Sequence, residues 1–400
     1  MKRYWKTLLI GLISVIAIGF YYTQLAFASK QDLTFKIETT SGNEMEIENI
    51  SLEAYFNRDN YHRQIIITKD GSTLTKGNRS QMDFMFNPYV PEKVQKYMQE
   101  HRQFMRGKQY DENNYFKDEN YLVYAAIQDF DQVRPGDLLT ADVDVLELKT
   151  NERSSFEIQI PVHESYYWMG VRDVYKQDGK IKVVVTGYLT NSGDEMRIYT
   201  VDEKSKALEV DELIAKVAPE NGIDANLHLL SNANETLNDN YYLYEIKKYK
   251  QTRYGPSNEY LSHQLYAFNK LNSEVEEIVI PSELKSEMGM TFLYGAQLFV
   301  PTYSANGLEL HHYSIETGQW EEPLHYDFPI TVNGEEHPLV QIMDEKLYIV
   351  NRVAEGHMLY IGDLRTGESL YVGKIPADNG HTPNAYTKIL ISNIKNNSDN

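Results

Sequence analysis

The densest group of residues able to do chemistry is His163-Glu164-Ser165-Tyr166-Tyr167-Trp168. An imidazole and a carboxylate beside three consecutive aromatic rings could seat a sugar, the rings stacking on its C–H face while the polar groups hold hydroxyls. Tyrosine and tryptophan also cover half-buried sheet surface, so packing is the competing role for the same residues. His163, Glu164, Tyr166, Tyr167 and Trp168 are therefore the candidate ligand-binding residues, and no catalytic residue can be assigned. A second group is basic. Lys93, Lys96, Arg102 and Arg106 fall on the polar face of a helix predicted over Pro91–Arg106, in which Val94, Tyr97, Met98, His101, Phe104 and Met105 recur at helical spacing. In a chain that is otherwise acidic, such a face could dock an acidic partner or a membrane surface, or could be the solvated side of a helix packed on a sheet.

Other chemistry finds no support. There is no phosphate-cradling glycine loop, no G-x-S-x-G elbow, no H-E-x-x-H pair and no calcium loop. With no cysteine, thiolate metal sites, disulfides and cysteine nucleophiles are excluded. Histidines crowd between His263 and His357, but His311 and His312 are neighbours on an expected strand and point to opposite faces, so neither a metal nor a cofactor is expected. Acidic doublets such as Asp194-Glu195, Glu276-Glu277, Glu321-Glu322 and Glu335-Glu336 diverge for the same reason. Glycoside chemistry needs two carboxyls about 5–10 Å apart across a cleft, so these doublets read as acidic surface. A formal charge of −19 removes the electrostatic source of nucleic-acid binding.

The elements that must position these residues recur along the chain. Short polar turns lead into Tyr121-Leu122-Val123-Tyr124, Ile181 to Val185, Tyr241 to Tyr244, Leu298 to Val300 and Leu347 to Val350. A second strand follows in the later units, as Arg197 to Val201, Gln264 to Phe268, Leu310 to Ile315 and Met358 to Ile361, and each ends at a polar turn. Further β-like runs precede and close each unit. Four antiparallel strands in about 50–60 residues predict an all-β chain, arranged as a β-propeller-like repeat of four-stranded units with a short helical insertion. Tandem β-sandwiches are the alternative. The expected division is an N-terminal export segment over 1–29, a β-rich region over 30–161 with the helix at 91–106, propeller-like repeats over 162–376, and a closing strand and polar tail over 377–400. Lys388 to Ile391 would pair near Phe35 and Ile37 to close the ring. Short helices are expected over Asp211–Val217 and Ser282–Met288.

Lys2, Arg3 and Lys6 precede 23 uncharged residues, Thr7 to Ser29. About 20 apolar residues cross a bilayer, so the segment predicts either a transmembrane anchor through residues 7–28 or a signal peptide cleaved after Ala28. Both place the remainder outside the cytoplasm, at the cell membrane or secreted, and a cysteine-free exported chain fits a bacterial envelope. The sequence thus points to a non-catalytic binding or sensing protein whose partner is an envelope protein, a peptide or a glycan. The alternative is a carbohydrate-active hydrolase or lyase using scattered carboxylates and tyrosines.

Overall fold

A computed structural model of the chain describes residues 35–58, 61–74, 90–230, 240–250, 259–285, 291–304, 307–328, 338–376 and 388–397, with scattered positions in the first twenty. The described residues are built mostly of antiparallel β-strands, and they fall into six sheets of four or five strands. The strands expected from the recurring apolar runs are present. Contacts divide the chain into two compact units, one formed by residues 1–80, 303–308 and 324–400, the other by 81–302 and 309–323.

In the first unit, one sheet orders Glu38–Gly42, Ser369–Pro376, Gly356–Asp363, Lys346–Val353 and Leu339–Met343, and another orders Lys388–Asn396, Ile50–Arg58, Tyr61–Ile67 and Ser72–Leu74. Strands from the two ends of the chain therefore share both sheets. Lys388–Asn396 pairs with Ile50–Arg58, while the strand beside Ile37 pairs with Ser369–Pro376. Leu52, Ile67, Leu359, Ile361, Tyr371 and Ile375 are sealed in the core between these sheets.

The second unit carries three whole sheets and most of a fourth. Tyr115–Lys117, Tyr121–Ile127, Leu138–Glu147 and Arg153–Pro161 lie side by side in chain order, as do Tyr166–Gln177, Lys180–Leu189, Asp194–Asp202 and Ala207–Val217. A third sheet holds Ile223–Leu229, Tyr241–Lys250, Glu259–Asn269 and Val275–Ile278. The first two sheets bury Val143, Val145, Val183, Val185 and Tyr199 in one core, and the second and third bury Val184, Ile198, Leu227 and Phe268 in another. Alternation along the strands of the middle sheet sends successive side chains to these two cores, which is why runs such as Val183-Val184-Val185 are apolar on both faces.

Four expectations need correction. None of the six sheets closes into a barrel or a propeller, so the predicted ring is not found. The recurrence of hairpins specifies which strands pair within a sheet, but closure depends on packing between sheets, which hairpin spacing does not encode. Nor is the transmembrane helix found: among the described residues no helix is long and apolar enough to cross a membrane. A crossing needs one unbroken helix of about 20 residues, and before residue 35 only scattered positions in the first twenty are described. The rest of residues 1–34 lies outside the described residues. Membrane attachment through residues 7–28, and a location at the cell membrane resting on it, are withdrawn with it. The helix over Pro91–Arg106 is shorter, Glu92–Glu100, because His101 leaves helical geometry at φ −128° and ψ 48°. Asp211–Val217 belongs to an extended strand whose neighbour is Asp194–Asp202. The helical turn expected from Ser282 is present as a 3-10 turn over Ser282–Leu284, and residues 286–288 lie outside the described residues.

Candidate functional site

The aromatic group at residues 166–168 opens the Tyr166–Gln177 strand, and its side chains divide between the two faces of the sheet. The hairpin is set by Asp178 and Gly179, both at positive φ, which place Gln177 opposite Lys180. Two one-residue slips follow, one at Arg172 and one at Tyr167, so that Trp168 faces Tyr188 and Tyr166 faces Leu189. A bulge leaves two residues opposite one. At Tyr167 it brings that ring and Trp168 against the same neighbour, with Tyr188 at 5.9 Å from Tyr167 and stacked on Trp168 at 4.9 Å between ring centres.

Three features hold this face. A Cβ at Gly170 would come within 2.4 Å of the Trp168 ring, so only glycine lets the indole lie across the strand there. The Arg172 guanidinium sits 5.1 Å from the indole centre, a cation–π distance, and donates from Nε to the Thr186 hydroxyl at 2.7 Å and from Nη2 to the Tyr188 hydroxyl at 3.4 Å. The rings remain open to solvent: Tyr167 is 57% and Trp168 37% exposed. The result is a fixed, uncharged aromatic surface with one cation tied down behind it.

Tyr166 does the opposite. It is 1% exposed and turns into the core, its ring passing over Gly187, where a Cβ would meet it at 2.7 Å. Its hydroxyl donates to Glu195 at 2.6 Å. Burial first, and then that hydrogen bond to a carboxylate, push the Tyr166 phenol well above its ordinary range. Arg197 donates to the same Glu195 oxygen and to Asp211 at 2.6 Å, and Asp211 in turn meets His163 Nε2 at 2.6 Å. Glu164 pairs with Lys216. His163, itself exposed, and Glu164 are thus tied to the Ala207–Val217 strand, and of the three aromatic candidates only Tyr167 and Trp168 form an open surface. Glu195 is 2% exposed. The Asp194-Glu195 doublet is an internal junction, not acidic surface: half-buried Asp194 accepts the Leu227 amide at 2.8 Å on the other face.

The basic group does not form one docking face. Lys93 is half-buried, and burial lowers its pKa against the raising effects of Glu112 and Asp173. Lys96 is exposed on the helix, while Arg102 and Arg106 lie beyond its end, Arg106 on the wall of a cavity. Among the described residues no group of three His, Asp or Glu is placed to hold a metal ion. His312 instead meets Glu321 at 2.8 Å, and His337 lies outside the described residues.

Sequence reasoning missed Tyr188 and Arg172. Counting outward from Asp178-Gly179 without a slip would set Leu189, not Tyr188, opposite Trp168, and nothing in the residue types marks the slip at Arg172.

No protein-family model matches the chain, and no curated protein matches it either. Among solved structures it is similar to TolB from Acinetobacter baumannii at 12% identity and a TM-score of 0.30, covering 86% of this chain and 65% of that one. The chain thus spans less than two thirds of that relative. It is also similar to the polysaccharide lyase Uly1, at 10% identity and TM-score 0.36 over 80% of this chain and 70% of that one. A third is the β-propeller domain of the Trilobed protease from Pyrococcus furiosus, at 11% identity and TM-score 0.29 over 86% of both chains. These likenesses are too weak to carry a function, which must rest on the site.

Proposed function

We propose that the chain binds a neutral glycan on the Tyr167–Trp168–Tyr188 face without chemically changing it. The observation that carries this reading is the open aromatic surface held by Gly170 and Arg172. Rigid rings cost little conformational entropy on binding and match the flat C–H face of a pyranose. The surface is uncharged and the chain carries −19 overall, so a neutral polymer meets less repulsion than an acidic one. The neighbouring carboxylates favour binding over catalysis. Glu195 and Asp211 are engaged by Arg197, Glu195 is buried, and Glu164 is paired with Lys216.

The test is affinity electrophoresis and calorimetry with hexamers of β-1,4-linked glucose, xylose and N-acetylglucosamine and of α-1,4-linked glucose. At least one should bind, and Trp168→Ala should weaken it about tenfold or more, as an aromatic anchor does. Binding of proline-rich peptides but of no glycan would overturn the proposal. Release of shorter or unsaturated products would instead support a hydrolase or lyase.

A further inference from the structure

A cavity of about 450 Å³ opens beside the Leu138–Glu147 and Arg153–Pro161 strands, within the size range of small-ligand sites. Its floor is a buried charge cluster. The Lys108 ammonium donates to Asp144 and to the Phe104 carbonyl at 2.7 Å, and it lies 4.2 Å and 4.9 Å from the centres of the Phe104 and Tyr124 rings. Arg153 donates to both oxygens of the same carboxylate, at 3.2 Å and 3.0 Å from Nη2. Two cations therefore share one carboxylate, and the Arg153 side chain, which lines the cavity, stays 41% exposed. Arg106 adds a further cation to the wall.

The other end of the cavity carries the opposite charge. In the strand register Asp142 stands directly opposite Glu157, with the Asp144–Ser155 pair between them and the Arg153 end. Like charges opposite each other on a sheet repel. Asp142 accepts only an amide hydrogen, from Gln128 at 3.0 Å, and no ion pair involves either carboxylate among the described residues. One end of the site thus has surplus positive charge and the other has surplus negative charge. The Arg153 guanidinium reaches the Asp144 level, and two strand residues separate that level from Asp142, so the charged ends lie about 6–7 Å apart.

We propose that this cavity binds a short peptide in its zwitterionic form, the carboxylate terminus on Arg153 and the ammonium terminus between Asp142 and Glu157. Arg–carboxylate recognition is strong and directional. The termini of a dipeptide are about 6 Å apart, given about 3.3–3.6 Å of extended chain per residue, whereas those of a free amino acid are roughly half that. The site is independent of the aromatic face.

The test is calorimetric titration of the full chain with alanyl-alanine, N-acetyl-alanyl-alanine, alanyl-alaninamide, alanine and acetate. Alanyl-alanine should bind, and blocking either terminus should weaken it about tenfold, with alanine and acetate weaker still. Glu157→Gln, at an exposed position, should weaken alanyl-alanine several-fold while leaving its N-acetyl form unchanged and the thermal midpoint no lower, because the substitution removes a like-charge repulsion. Arg153→Gln should weaken both dipeptide forms. Equal affinity for the free and N-acetylated dipeptides, equal affinity for acetate, or no heat with alanyl-alanine would overturn the proposal. Loss of glycan binding would leave it unaffected.

Discussion

Two glycines in neighbouring strands separate recognition from stability. Gly170 lies under the exposed Trp168 indole, and Gly187 under the buried Tyr166 ring. Gly170→Ala should push the indole off Tyr188, which would weaken glycan binding and redden tryptophan emission while changing the unfolding free energy by less than about 1 kcal/mol, as surface changes do. Gly187→Ala should force the Tyr166 ring from its core position and cost about 1–3 kcal/mol, measured by urea unfolding. Equal stability losses in both variants would show that the two rings are packed alike. At this scale the sequence told half the story. Residues 166–168 stand out by composition, but which ring faces solvent depends on bulges at Tyr167 and Arg172 that alternation alone does not reveal. The doublet Asp194-Glu195 misled for a related reason: strand alternation correctly separates the two side chains, yet both faces of this central strand are covered, so neither carboxylate is on an acidic surface.

At the scale of elements, the Lys108–Asp144–Arg153 cluster fastens the 101–109 segment to the sheet beneath it. Burial opposes charge on the Asp144 carboxyl, but hydrogen bonds from Lys108 and Ser155 and the charges of Lys108 and Arg153 together outweigh it and hold its pKa below the ordinary value. A carboxyl with a depressed folded-state pKa adds stability that is complete above the unfolded-state value, near 3.9, and is lost as pH falls through the lower folded-state value. Unfolding free energy should therefore drop on acidification below about pH 4. In Lys108→Met/Asp144→Asn that part of the drop should vanish, and a double variant whose acid profile matched the natural chain would contradict the assignment. The short helix before this segment was legible from the spacing of Val94 and Tyr97, both buried. Its end was not, because Phe104 and Met105 continue the apolar spacing while being buried from non-helical backbone.

For the molecule as a whole, the strands and their grouping into small antiparallel sheets of four or five were readable because each hairpin is a local event with its own turn residues. Closure and the N-terminal anchor were not: the one depends on contacts between sheets, and the other rested on apolar length alone. The sharing of both sheets of the first unit by the two chain ends makes the C-terminal strand structural. Lys388–Asn396 covers the edge of Ile50–Arg58 and buries Ile389, Ile391 and Ile394. Each such side chain contributes about 1.5–3 kcal/mol, and an uncovered edge invites association. Ending the chain at Pro376 should therefore lower the thermal midpoint and produce soluble aggregates on size exclusion. A monomer with an unchanged midpoint would show that the strand is dispensable.

The central claim is that the Tyr167–Trp168–Tyr188 face is where a glycan lies. Tryptophan occurs only at positions 5, 168 and 320, so emission of the natural chain minus that of Trp168→Phe reports this face directly. Titrating both proteins with the best-binding oligosaccharide should give a saturable change in the difference signal, with the same midpoint as calorimetry. Saturable binding in calorimetry with no change in that difference signal would place the sugar elsewhere and contradict the account.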